Sequence, residues 1–247
     1  RDAMRPLVAD LRDGHGSVVK ATGYVPKVIS NDALEEAIAT YSTIADAFAF
    51  TIKPNTRSHF YVLTFPSGNA TWVYDFSTNE WHQWSTYDSS LMDRIGRFKI
   101  RTHCFFNNKH YMGSDTDGTL YEFSETAFAD GANPLERIAV TSHHSDNQNE
   151  VAWHALQILF DAGTGLVTGQ GSDPQAMLRW SNDNGYTYGN SHWASFGKIG
   201  QYGRRVIWRK LGRAYNRVYE LRVTDPVNAT IVSGFGQIDR GGKDMAE

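Results

Sequence analysis

Apolar and polar positions alternate in short blocks through the first half of the chain, and the blocks fall into groups. The period of two is clearest in His59-Phe60-Tyr61-Val62-Leu63-Thr64-Phe65 and in Thr71-Trp72-Val73-Tyr74-Asp75-Phe76, the signature of strands. Strands are expected at Asp46–Ile52, His59–Phe65, Ala70–Phe76 and Glu80–Ser85. Turn signals at Lys53-Pro54-Asn55, Pro66-Ser67-Gly68-Asn69 and Ser77-Thr78-Asn79 separate them. Four strands in ~40 residues is the size of one propeller blade. A second group is expected at Arg101–Phe106, Lys109–Gly113, Thr119–Phe123 and Arg137–Thr141. The two groups share an outline, a strand ending in Tyr-Asp-Phe (74–76) or Tyr-Glu-Phe (121–123).

One helix interrupts the strands. Asn31 or Asp32 can cap Ala33–Ala39, Glu35 and Glu36 suit the first turn, and Leu34 with Ile38 gives one apolar stripe. Leu91–Lys99 is a weaker helical candidate. From about Asn147 the texture changes to a long apolar strand, Val151–Phe160, and a glycine-rich loop through Gly163, Gly165, Gly169 and Gly171. Further strands are expected at Ala176–Ser181, Ser191–Phe196, Arg204–Leu211, Arg217–Thr224 and Ala229–Ser233. The pattern predicts an all-β chain: propeller-like blades of four antiparallel strands over 1–145, with the short helix near 32–40. A second β-unit, a sandwich or divergent blades, covers 146–238, and a flexible tail covers 239–247.

Composition narrows the class. Aromatics make up 13% of the 247 residues and 22 glycines supply turn positions, which suits an ordered β-rich protein. No run reaches the ~18 apolar residues of a membrane-spanning helix. The single cysteine, Cys104, cannot form an internal disulfide and fits assembly in a reducing cytoplasm. Its run with Phe105 and Phe106 predicts a buried, inert thiol. The chain opens at Arg1 rather than methionine, as a processed product or a piece of something longer would.

Between Trp180 and Tyr188 the chain reads Trp-Ser-Asn-Asp-Asn-Gly-Tyr-Thr-Tyr. Ser181, Asp183, Gly185 and Thr187 fit the Ser-x-Asp-x-Gly-x-Thr-Trp pattern of the Asp box, with Tyr188 at the last place. A short carboxylate accepts backbone N–H bonds across the turn, glycine supplies positive φ, and the aromatic packs beneath. Asp boxes occur in propeller sialidases and equally in propellers that catalyse nothing. Asp183 therefore reads as a turn acceptor, not an acid catalyst.

Other candidate chemistry is thin. His143, His144 and Asp146 come nearest to a metal cluster, but adjacent strand residues face opposite sides and nothing nearby completes a site. No metal, cofactor or catalytic residue is assigned. Gly14-His15-Gly16 and the 163–171 loop lack the Gly-Lys-Ser/Thr ending of a phosphate loop. The 198–217 stretch carries Lys198, Arg204, Arg205, Arg209, Lys210, Arg213 and Arg217, with no acid anywhere between Asp183 and Glu220. Aromatics interleave it, so it can contact nucleic acid or a neighbouring protein. The chain's net charge of −3 does not suit a strong DNA binder.

Several runs carry a family resemblance. They are Phe60–Pro66, Ala70–Asp75 and Glu80-Trp81-His82 in the first half. In the second half they are Gly169–Ser181, His192–Ser195, Gly197–Gly200 and Arg205–Arg209. Together they resemble the packaged-DNA stabilisation, or tail nozzle, proteins of short-tailed bacteriophages, in their C-terminal portion. The resemblance implies a propeller-like core without enzymatic activity. It implies copies in a ring, a hexamer, below the portal and adaptor, continuing the DNA channel and retaining packaged DNA until ejection. The implied partners are the portal-adaptor, tail-fibre, tailspike or needle proteins and the packaged DNA, with no membrane insertion. The place implied is the virion tail, after synthesis in the bacterial cytoplasm. The alternative is a sialidase-like propeller that binds or cleaves host glycans.

Overall fold

A computed structural model describes residues 16–22, 25–88, 93–131, 133–147, 149–163 and 165–240. The chain divides into two compact units between Ala127 and Phe128. In the first, β1 (Val19–Thr22) and β2 (Val25–Val28) form a hairpin, followed by α1 (Asp32–Ala39). Asn31 is the cap: its side-chain oxygen accepts the Leu34 N–H at 3.0 Å, which fills one of the donors a helix start leaves open.

Next comes a four-stranded antiparallel meander in sequence order: β3 (Phe48–Ile52), β4 (Phe60–Phe65), β5 (Ala70–Asp75) and β6 (Glu80–Gln83). This sheet is buried on both faces. Tyr61, Leu63, Phe65 and Tyr74 pack with Val18 and with Leu34 and Ile38 of the helix. Val62 and Val73 point the other way, into a core with Ile52, Ile100 and Met112. Thr64 and Thr71 are polar but buried, and satisfy each other across the strands at 3.0 Å. Two tryptophans are anchored by their ring N–H groups, Trp72 to the Tyr41 hydroxyl and Trp81 to the Ile29 carbonyl.

A short ladder, β7 (Thr86–Asp88) with β8 (Asp93–Ile95), leads to a three-stranded meander. Its strands are β9 (Ile100–Phe106), β10 (Lys109–Ser114) and β11 (Leu120–Phe123). Asn107 and Asn108 both hold positive φ, as a two-residue hairpin turn demands. A register shift at Gly113/Ser114 lets Ile100 and His103 share the core side of β9 and turns Cys104 outward. Cys104 is exposed, not buried as expected, because an apolar run says nothing about which of its members meets the core.

The second unit is a β-sandwich. β12 (Ala129–Asp130) and β13 (Asn133–Pro134) form a small ladder. One sheet then holds β14 (Arg137–Val140), β21 (Asn216–Val223), β17 (Gln175–Ser181) and β18 (His192–Ser195) in that order, with β15 (His144–Ser145) also on β21. The other is built on β16 (Val151–Phe160). β22 (Ile231–Arg240) pairs along one side of it, and β19 (Arg205–Arg209) and β20 (Arg213–Ala214) along the other. Leu178, Tyr219 and Leu221 of the first sheet meet Trp153, Ile158, Phe160, Val206 and Trp208 of the second in one core.

The all-β class and the four-stranded blade agree with the strand pattern, and four further expectations are corrected. The strand at 137–140 pairs with β21 instead of completing the second group, which has three strands. The boundary therefore lies at 127/128 rather than 145/146. Arg137 ties this strand to its new sheet by donating to the Val227 and Asp225 carbonyls. Residues 93–95 are a strand instead of part of a helix over 91–99, of which 91 and 92 lie outside the described residues. Asp239 and Arg240 close β22 rather than opening a tail, and 241–247 lie outside the described residues.

One pair at the rim of the first unit's core gives a pH dependence. His103 Nε2 and His110 Nδ1 lie 2.9 Å apart, and the His103 ring stacks on Phe50. Burial, and then the charge of His110, hold His103 below the ordinary histidine value, against an opposing hydrogen bond with the Thr51 backbone. The folded state therefore binds fewer protons than the unfolded chain. Stability is complete above about pH 6.5 and declines as pH falls through the folded pKa. Melting curves from pH 8 to 5 should show that decline in the wild type and a smaller one in His103→Phe. Equal slopes would refute the assignment.

Candidate functional site

The Asp-box residues converge on the turn between β17 and β18. The Ser181 side chain is 1% exposed. Its hydroxyl accepts the N–H groups of Asp183 and Gly185, at 3.2 and 2.8 Å, and donates to the Asp183 carboxylate. That carboxylate also takes the Thr187 N–H at 2.9 Å and the Thr187 hydroxyl. Asn184 and Gly185 carry the positive φ values, 66° and 93°. The Arg179 guanidinium lies 4.7 Å over the ring of Tyr188. Hydrogen bonds from Ser181 and Thr187 hold Asp183 down to about 2, so it is ionised at neutral pH and its oxygens are committed to the turn. Such a group accepts hydrogen bonds and has no proton to deliver.

The basic stretch does not form one patch. Arg217 is 1% exposed, in the sandwich core. Its Nε donates to Asn182 Oδ1 at 2.9 Å and its Nη1 to the Leu211 carbonyl at 2.8 Å. The faces of Trp153, Trp180 and Tyr219 surround it at 5.5–5.7 Å. Arg213 pairs with Glu150 at 3.2 Å, Arg204 donates to Gln201, and Lys198 lies 3.8 Å from Asp173. Lys210 sits at a left-handed turn position and gives its backbone N–H to the His154 carbonyl. Arg205 and Arg209 are exposed, on the outward side of β19, while Val206 and Trp208 point into the core.

A charge network escaped the sequence reading. Arg179 grips Glu220 with two bonds of 2.8 Å, and Arg222 reaches Glu220 at 3.2 Å and Glu136 at 2.7 Å. Arg179 and Glu220 are cross-strand partners although 41 residues apart. Their only sequence signal is Glu220 and Arg222 sharing a face at a spacing of two. Burial pushes the Glu220 carboxyl up, but hydrogen bonds and charge from Arg179, with the charge of Arg222, bring it below the ordinary value. His143 and His144 are both exposed, and His144 packs edgewise on Trp153. Among the described residues no three His, Cys, Asp or Glu side chains gather as a metal site. The open cleft lined by Asn69, Thr71, Gln83, Trp84 and Ser85 has no titratable side chain among these.

Comparison with known families finds two matches that follow one another along the chain. Residues 5–128 match the family model described as the β-propeller of bacteriophage P22 Gp10. Residues 136–238 match the one described as the β-sandwich of the same protein. No curated protein matches the chain.

Two substitutions test the packing around the turn. Ser181→Ala removes the acceptor of two turn N–H groups and should cost about 1 kcal/mol in chemical denaturation. Arg217→Ala empties a buried, multiply bonded site and should cost about 3–5 kcal/mol. Arg217→Met keeps most of the volume without the charge and should be clearly milder. If Arg217→Ala unfolds at the wild-type denaturant concentration, the guanidinium does not organise this core.

Proposed function

The chain belongs to the bacteriophage P22 Gp10 family, and we propose that it is a structural protein of a phage virion, a subunit of the tail nozzle. The observation that carries this reading is the pair of family matches, propeller then sandwich, in chain order over nearly the whole length. Copies would close into a ring, a hexamer on the family resemblance, below the portal and its adaptor. The ring would continue the DNA channel, retain packaged DNA until ejection and contact the portal-adaptor, tail-fibre, tailspike or needle proteins. The proposed site is the virion tail, after synthesis in the host cytoplasm. No helix among the described residues is long and apolar enough to cross a membrane.

Charge placement supports a conduit more than a clamp. A channel must let the duplex slide, and each simultaneous phosphate contact adds ~0.9 to the salt dependence of binding. The scattered arginines of 204–217 and the net charge of −3 suit weak contact. We read the chain as non-enzymatic, because the Asp-box carboxylate is consumed in its own turn. A glycan reader would instead present a concave pocket of aromatics and free carboxylates.

Sedimentation and electron microscopy of the chain, alone and beside its adaptor ring, should show closed rings. Duplex DNA should bind weakly at physiological salt, and equally weakly after Arg205→Ser with Arg209→Ser. Sialosides should stay intact with wild type and with Asp183→Ala. A chain that never leaves the monomer, or hydrolysis that Asp183→Ala abolishes, overturns the nozzle reading.

A further inference from the structure

The outer face of the second sandwich sheet is a regular array. The registers of β22, β16 and β19 align three rows: Ser233–Leu159–Arg205, Phe235–Gln157–Ile207 and Gln237–Ala155–Arg209. The intervening residues Leu156, Ile158, Val206 and Trp208 belong to the core, so all nine positions of the array face outward. Phe235 is 59% exposed at one border, Arg205 and Arg209 are exposed at the other, and no carboxylate stands among the nine. Neither arginine makes an ion pair among the described residues. The face measures roughly 10 by 13 Å at ordinary strand and residue spacings. β22 pairs with β16 alone among the described strands, so no described strand covers its other backbone edge. It also exposes Ile231, Val232 and Ile238. A long apolar edge of this kind invites a protein partner.

Charge selects the partner. Residues 1–127 hold 12 Lys and Arg against 15 Asp and Glu, whereas residues 128–247 hold 12 of each. The acidic excess of the chain lies wholly in the first unit. Two arrays set face to face would oppose four guanidiniums, so self-complementary pairing is disfavoured. Phosphate groups would leave the apolar members of the array, Phe235, Ile207 and Leu159, uncovered.

We propose that this face docks on an acidic surface within residues 1–127 of a second copy of the chain. The contact is heterologous, the head-to-tail kind that a closed ring of identical copies requires. The inference rests on the nozzle reading for its assembly and adds the surface and the polarity of the contact. β22 supplies the apolar anchor and β19 the cationic border.

Sedimentation velocity of the full chain at low and high salt tests it. Variants Arg205→Glu with Arg209→Glu, and Phe235→Ser, should raise the concentration of half-assembly about tenfold or more without moving the melting temperature. Arg204→Glu, off the array, should assemble like wild type, and high salt should weaken the wild-type contact. In a mixture, the charge-reversed variant should still accept a wild-type neighbour through its own acidic surface, giving mixed pairs. If wild type assembles and both face variants assemble equally well, the face is wrong while the nozzle reading stands. Absence of mixed pairs overturns the heterologous contact. Unchanged assembly with duplex DNA binding lost in the charge-reversed variant would hand the face to nucleic acid. A wild-type chain that stays monomeric even beside its adaptor ring removes the nozzle reading and this contact with it.

Discussion

A single buried cation organises the second unit. Taking a guanidinium out of water costs several kcal/mol even after relaxation, and none of Arg217's hydrogen bonds goes to a carboxylate. Three aromatic faces and three neutral acceptors offset the cost instead, and cation–π attraction strengthens when water is excluded. The aromatics come from different places: Trp153 from β16 in one sheet, Trp180 and Tyr219 from β17 and β21 in the other. Asn182 belongs to the Asp-box turn, and the Leu211 carbonyl to the connection between β19 and β20. One side chain thus joins both sheets, a hairpin turn and a strand connection. The orientation of the Asp box follows from the core beneath it.

The first unit depends on a different constraint. β4 is buried on both faces, so each of its side chains must be covered from one side or the other. Tyr61, Leu63 and Phe65 are covered by α1 and Val18, while Val62 meets Ile100 and Met112 from the next meander. A sheet with two packed faces needs neighbours on both sides, as blades do. The helix, short as it is, covers one of those faces with Leu34 and Ile38.

Local chemistry made much of this legible. Alternation located β4 and β5, the Asn31-Asp32 pair announced the helix start, and the spacing of Ser181, Asp183, Gly185 and Thr187 announced the turn. Each of these depends on residues within a few positions of one another. Pairing across the sheets was not legible. Arg137–Val140 alternates as well for one partner as for another, and its place beside β21 depends on distant contacts, among them the Asp225 and Val227 carbonyls. Arg217 looked like surface charge because its aromatic neighbours lie up to 64 positions away in sequence. The Arg179–Glu220 pair was hidden for the same reason. Cys104 failed in the opposite way, since a one-residue register shift decides which face an apolar run presents.

The disposition of polar groups bears on what kind of function the chain can have. Catalytic sites leave ionisable groups perturbed and aimed into a cavity, where a substrate completes their bonding. Here Asp183 is answered by Ser181 and Thr187, Glu220 by Arg179 and Arg222, and Arg217 by rings and carbonyls. What stays unanswered on the sandwich surface, among the described residues, is of another kind: a strand edge, exposed apolar side chains along β22, and Arg205 and Arg209 across β16 from it. All three would be satisfied at once by a broad protein surface carrying opposite charge, which is the contact proposed above.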